Sequence, residues 1–584
     1  MKIVTLLIVA VITFFTKNTA YSEQPQFQFV KRIIGNIVPK ISVDNSGNVY
    51  TIGNFSGKIQ VDSTQPPITI DGADNDILIT KFSPTGKFLW SKHIGDESNE
   101  NVISGKVDSY GNAYVTGYFS GRTDFDPGQG VAHRKAQGVY DVFVFKLDSL
   151  GNFAWVDQFG GPEMDFGTSV SFDASGNVYA AGYFKGIADF DPSEDSSFTM
   201  DSGANRSLFI VKLDASGKLI WAKNTGGSPA QTNHSMVVDS KRNIYIVGGF
   251  SGTVDFDPGL DSFKIKSVGS NDMFILKLDS SAKFVWAKRV GGKNTEFRTV
   301  GLAVDLTENV YCAGSFIGKV DFDPGIDTFT VTSKPNTQTS TPTTDVFIVK
   351  LDKYGNFKWV RSIGDYSLDN GNSIALDTRG NIYTTGGFTG TVDFNPGADT
   401  VYIKSAGRND IYILKLDSLG NFTYALNIGS TLNSSDVFEA GYSIDVDKSG
   451  NIYTSGIFYG TVDFNPGDSV YNVTASKGSS SYDVFVLKLS QESSTSDVSE
   501  GIRTASPQLL LYPNPTTGYL TVDFGKGLTN GRIKLVNLYG QILLEQSNIS
   551  GTSLTLDIAG QPSGMYCIEV SDGGVVERVK VVKE

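Results

Sequence analysis

Cysteine is nearly absent: Cys312 and Cys567 are the only two in 584 residues. Each lies inside a strand-like run (VYCAG, MYCIEV), which reads as a packed thiol rather than a disulfide or a nucleophile. Histidine is almost as scarce, with His93, His133 and His234 alone, and no third ligand accompanies them for zinc. Basic residues number 49 against 62 acidic ones, a net charge of −13. That excludes a nucleic-acid surface, which needs clustered Lys and Arg. Stretches of helical period are missing throughout, so the chain reads as all-β. Beyond the first 22 residues no run approaches the eighteen apolar residues of a membrane span, and the mature chain is expected to have no transmembrane segment. G-x-S-x-G, H-E-x-x-H and a phosphate-binding glycine loop are also missing.

What the chain has instead is glycine and aromatic residues: 64 Gly, 38 Phe and 25 Tyr. Such a composition suits many short strands joined by tight turns. It is organised by a repeat. DNSGNVYTIGNFSG at 44–57 returns at Asp108, Asp173, Asp239, Asp305, Asp377 and Asp447, spaced 64, 65, 66, 66, 72 and 70 residues apart. Seven copies of one unit call for a repeat architecture. Each copy divides into strand A, ending at the marker aspartate; a D-x-x-G-N turn; strand B (N-x-Y-x-x-G-x-F); strand C (D-x-F-I-x-K-L-D); a second tight turn; and strand D (F-x-W-x-x-x-x-G). Glycine and asparagine accept the positive φ of such turns.

Units of four short strands fit a propeller better than a sandwich. A lone four-stranded sheet cannot bury both faces, whereas a ring of sheets does. The strand-B tyrosines and the phenylalanines five residues on supply fourteen rings for that core. The recurring glycine between them is expected to let neighbouring blades approach closely. Strand D is missing after the seventh strand C, while FQFVKRIIG at 27–35 resembles a D strand. The expectation is a ring closed by both termini.

Residues 1–22 read as a secretory signal, with Lys2, an apolar run from Ile3 to Phe15, and small residues before Glu23. Residues 23–490 hold the repeats and 491–507 form a Ser-rich linker. Residues 508–584 open with LYPNPTTGYLTVDF and read as a small β-sandwich.

The GNxYxxG and DxFxxKLD patterns resemble the bacterial seven-bladed β-propeller repeat family over about residues 27–490. The final segment resembles the type A C-terminal sorting domain of the type IX secretion system. The matching residues are Pro513, Asn514, Pro515, Gly518, Gly540, Gly564, Tyr566, Lys580 and Lys583. This second resemblance implies Sec export to the periplasm, contact with the type IX machinery, and release or attachment at the cell surface.

Between strands B and C six copies carry DFDPG or a variant. The carboxylates are Asp124 and Asp126, Asp189 and Asp191, Asp255, Asp257 and Asp261, Asp321, Asp323 and Asp327, then Asp393 and Asp463 in DFNPG form. Alternate carboxylates with a glycine can present oxygens to Ca²⁺. The same residues make a hairpin turn in which Asp accepts a local amide, Pro fixes φ and Gly takes the awkward position. The turn account uses every residue of the motif, and calcium stands second.

Strand alternation puts the B–C insertions and D–A loops on one face, where the copies differ. Asn101, Arg298 and Asn370 stand seven residues before their markers on that face and are candidate ligand-binding positions. The reading favours a secreted or cell-surface binding or adhesion protein over an enzyme, with a glycan or a surface protein as ligand. The alternative is an exported polysaccharide hydrolase or lyase. A binding module should show repeated shallow pockets or aromatic residues. An enzyme should show acids or histidines that break the sevenfold pattern.

Overall fold

A computed structural model describes residues 24–491 and 510–583, apart from positions 36, 38, 63–67, 73–74, 96–97, 194, 228–230, 336–342, 433–436, 468, 477–481, 513–515, 538–540 and 573–574. The signal segment 1–22, the linker beyond Gln491, and Pro513, Asn514, Pro515 and Gly540 lie outside the described residues. Two compact units divide at Ser494 and Thr495.

Among the described residues the first unit contains seven four-stranded antiparallel sheets and seven two-stranded hairpins. Blade 2 shows the plan. Glu100–Val107, Ala113–Phe119, Asp141–Leu147 and Phe153–Phe159 pair in chain order as strands A to D. Its B–C insertion is the hairpin of Arg122–Asp124 with His133–Lys135. Strand A of each blade packs against strand A of the next, and Lys40–Val43 packs against Ala440–Val446 to finish the circle. All fourteen strand-B rings are at most 1% exposed, from Tyr50 and Phe55 to Tyr453 and Phe458.

Blade 7 is assembled from both ends of the unit. Gln26–Ile33 pairs antiparallel with Asp483–Ser490, in register from Gln26 opposite Ser490 to Ile33 opposite Val484. A bulge at Gln28 matches the extra residue that every other D strand carries near its start, so Phe29 takes the place of the tryptophan.

The repeat motif is accounted for by one structural unit used seven times. Asp447 shows it. Its Oδ1 accepts the N–H groups of Ser449 and Asn451, and its Oδ2 accepts Asn451 Nδ2 and the Tyr453 hydroxyl. Equivalent bonds recur from Asp44 to Asp377, with the tyrosine oxygen 2.9 to 3.3 Å from its aspartate. The strand-C lysine then lies over the tyrosine ring, 4.8 to 5.3 Å from its centre, in every copy. Lys81, Lys350 and Lys488 reach on to a carbonyl in the C–D turn of the next blade. Aspartate, asparagine, tyrosine and lysine thus form a buried, charge-assisted network that ties each turn to its neighbour.

The strand-B glycine has a different cause from the one its spacing suggests. A Cβ on Gly117 would collide with the carbonyl oxygen of Asn101, and one on Gly386 with that of Asn370. Both carbonyls belong to strand A of the same blade, where a bulge turns the backbone inward. The close approach is within the blade, not between blades.

In the second unit five strands form one hydrogen-bonded sheet. Tyr519–Asn537 and Ile542–Asp557 are long strands broken by bulges into two pairing zones. Leu520 and Val522 from one zone share a core with Ile533, Leu535, Ile568 and Val581 from the other. Gly518 donates its N–H to Thr516, and the Tyr566 hydroxyl donates to the Pro562 carbonyl. Gly564 pairs with Lys583, which is buried, and Lys580 pairs through its backbone with Cys567.

Candidate functional site

The insertion hairpins show what the aspartate motif does. In blade 4, Asp255 Oδ1 accepts the N–H of Asp257 at 3.3 Å and of Phe263 at 2.8 Å, and Asp257 Oδ1 accepts Gly259 N–H at 2.7 Å. Asp321 and Asp323 repeat this with Phe329 and Gly325. Asp189 and Asp191 do so with Phe198 and Ser193. Asp124 and Asp126 bind Ala132 and Gly128. Asp393 and Asp463 bind Val401 and Tyr471, with asparagine as the second residue. Asp261 and Asp327 stand exposed at the hairpin tips. One oxygen of each leading aspartate is therefore committed to two backbone amides, an Asx-type cap. Among the described residues no three His, Cys, Asp or Glu side chains are grouped to hold a metal ion. We expect the melting midpoint of the full chain to move by no more than about 1–2 °C between millimolar calcium and excess chelator, because these turns are closed by amides. A rise of many degrees with calcium would make them metal sites.

In four of the hairpins the second amide belongs to an exposed aromatic residue. Phe198, Phe263, Phe329 and Tyr471 occupy the same hairpin position in blades 3, 4, 5 and 7 and are 43, 42, 48 and 47% exposed. Phe263 rests on Phe284 at 4.8 Å, Phe329 on Phe357 at 5.1 Å and Tyr471 on Phe27 at 4.7 Å, each at about the same tilt. One side of each ring is packed on strand D of its own blade, and much of the rest is open. The signal was present in the sequence as an aromatic residue eight or nine places after the first aspartate.

The central channel is lined by the A strands of all seven blades and encloses about 620 Å³. Four residues before the marker, five of the seven copies carry serine. These hydroxyls span neighbouring blades: Ser104 accepts Val170 N–H, Ser169 accepts Met236, Ser373 accepts Ile444 and Ser443 accepts Ile41. They satisfy amides on the inner sheet edge, which has no further strand to pair with. Lys40 and Gly301 take the serine position in blades 1 and 5, and Lys106 and Asp445, two residues before their markers, add charge to the lining from blades 2 and 7. Burial lowers both lysines and pushes Asp445 up to about 6.

Asn101, Arg298 and Asn370 lie at the starts of strands A on three different blades. Asn101 accepts Asn75 Nδ2 at 2.7 Å, Arg298 meets Glu296 at 3.0 Å and Asn370 accepts Thr344 Oγ1 at 3.3 Å. His93 is paired with Asp76 at 2.6 Å, while His133 sits in the insertion of blade 2 opposite Asp124. The side chain of His234 is outside the described residues. Cys312 is fully buried, its thiol pushed well above the usual range by burial; Cys567 is half-buried, and neither cysteine is in a disulfide.

The geometry defines a β-propeller followed by a separate β-sheet unit. Comparison with known proteins finds a family model matching within each part. Residues 358–386 match the family model described as a beta-propeller repeat. Residues 510–584 match the secretion system C-terminal sorting domain, the type IX tail. The chain carries both modules, and its tail marks it for secretion or display at the cell surface. An uncharacterized WD repeat-containing protein of Acanthamoeba polyphaga mimivirus is 22% identical over 64% of this chain and 31% of its own length. The regulatory protein FlaEY of Caulobacter vibrioides is 26% identical over 34% of this chain and 21% of its own. The chain thus spans less than a third of either relative. A copper-bound fungal alcohol oxidase of the AA5 family aligns over 96% of this chain at 11% identity with a TM-score of 0.27. Among the described residues no helix is long and apolar enough to cross a membrane.

Proposed function

We propose that the propeller is an adhesion module that binds polysaccharide outside the cell through its insertion hairpins. The observation that carries this is the recurrence of a half-exposed aromatic ring at one hairpin position in blades 3, 4, 5 and 7. A sugar's C–H face is apolar and stacks on such a ring, while the exposed aspartates at the hairpin tips, Asp261 and Asp327, offer carboxylates to its hydroxyls. Weak sites repeated around a rigid ring suit a repetitive ligand, since several shallow contacts on one polymer multiply. Delivery by Sec and the type IX route would bring the module to surface glycans or to another surface protein. Binding of a polysaccharide panel should fall about a hundredfold in a Phe263→Ala, Phe329→Ala, Tyr471→Ala triple variant, at ~1 kcal/mol per ring. Undiminished binding in a folded triple variant would move the ligand site to the channel mouth and its residues Asn101, Arg298 and Asn370.

A further inference from the structure

One position breaks the sevenfold pattern with a reversal of charge. Two residues after the strand-D aromatic stand Lys31, Lys92, Lys223, Lys288 and Arg361, Leu426 in blade 6, and Asp157 in blade 2. Lys31, Lys92, Lys288 and Arg361 lie under the C–D turn of the following blade. A Cβ on Gly151 would stand 2.7 Å from Lys92 Cε, one on Gly355 2.7 Å from Lys288 Cε, and one on Gly86 2.8 Å from Lys31 Cε. Arg361 donates from Nε to the Gly420 carbonyl at 2.8 Å, with its guanidinium over Trp359 at 5.2 Å. Asp157 takes the same place beneath Gly217, its Oδ2 2.9 Å from the corresponding Cβ position. It is a much shorter side chain, and a pocket of about 730 Å³ lies beside it.

Asp157 is 7% exposed, and its Oδ2 has no hydrogen-bond partner among the described residues. The pocket wall opposite is built from Asp191, Ser196 and Phe198 of the blade 3 insertion, from Lys218 of its C–D turn and from Trp221 of its outer strand. A buried carboxylate oxygen without a hydrogen bond is costly, and other blades resolve the same place with a cation on an aliphatic stem.

We propose that this pocket receives an alkyl-guanidinium or alkylammonium group from another molecule, with Asp157 as its counterion. The incoming group occupies the place that Lys92, Lys288 and Arg361 fill from within the chain elsewhere. Trp221 and Phe198 offer it aromatic faces and Asp191 a second negative charge. The site is separate from the aromatic positions of blades 4, 5 and 7, so either reading can fail alone.

Burial, ahead of the charges of Asp214 and Asp191 and against the pull of Arg134, pushes Asp157 up to about 8. Lys218 and Lys223 also face the pocket. The carboxyl is therefore protonated at neutral pH, and each cation bound releases one proton. Binding strengthens as pH rises and levels off above about 8.

The test titrates agmatine into the full chain by calorimetry, alongside an acetylated Gly-Arg-Gly amide that presents the same guanidinium from a peptide. Agmatine affinity is expected to rise up to about a hundredfold from about pH 6 to about pH 9, with proton release measurable in buffers of different ionisation heat. Asp157→Asn, which keeps the pocket open, should weaken it at least about tenfold. Asp157→Lys, which supplies the occupant from within, should abolish it. Binding of agmatine alone points to a free amine as the natural ligand, and binding of both to a basic side chain of a partner. Absence of binding to the wild type, or equal binding to Asp157→Asn, overturns the proposal. Polysaccharide binding by Asp157→Asn reports on the adhesion reading independently.

Discussion

Removal of residues 24–34 should leave the chain without a cooperative melt near that of the intact protein. The strand they form closes blade 7 along the whole length of Asp483–Ser490. It buries Phe29, Val30 and Ile33, each at most 8% exposed, and brings Arg32 within 3.9 Å of Asp483. Three such side chains contribute about 5–9 kcal/mol at roughly 1.5–3 each. That is comparable with the whole net stability of an ordinary domain, about 5–15 kcal/mol. The deletion also exposes an unpaired strand edge and opens the ring, so loss of the transition should come with aggregation. Circular dichroism melts of the two chains at equal concentration decide it. A midpoint unchanged within a degree or two would mean that the ring does not depend on closure.

Asp447→Ala should be the most damaging single substitution in a turn. It removes the acceptor of four hydrogen bonds at once and leaves Asn451 and Tyr453 with unsatisfied donors beside Lys488. Bonds to a charged group are worth about 1.5–3 kcal/mol each, though shared ones do not add in full, and a loss of about 3–5 kcal/mol is expected. Tyr453→Phe deletes one of the four and should cost about 1 kcal/mol. The order of the two variants in urea denaturation is the measurement. Equal losses would mean that the aspartate acts through the tyrosine alone.

Much of this fold was legible because the repeat states it seven times. The strand assignment, the fourteen buried rings and the displaced D strand follow from residue types at fixed offsets, and local geometry honours them. The turn chemistry of D-x-x-G-N was also readable, since an aspartate caps amides two and four residues on wherever the chain doubles back. What escaped were contacts whose partner lies a full repeat away. The serine four residues before each marker is visible in five copies, yet its target is an amide of the next blade, about 66 residues on. The glycine of strand B was explained by the wrong neighbour, because a bulge in strand A is a register event that spacing alone does not reveal. Asp157 was overlooked for a related reason: alignment of the D strands shows the reversed charge, but not that the position is roofed by the following turn. Of the candidate residues chosen for symmetry breaking, Asn101, Arg298 and Asn370 each have a local partner and stand on separate blades.

The strand Gln26–Ile33 has a consequence in time. Synthesis proceeds from the N-terminus, so the first strand to be made is the last to find its partner, some 460 residues later. Until Asp483–Ser490 arrives, six complete blades and two open edges must be carried without a closed circle. Closing so long a loop costs entropy, and the seventh blade is complete only once it closes. A polypeptide of this design is held open for as long as its own tail is still in transit.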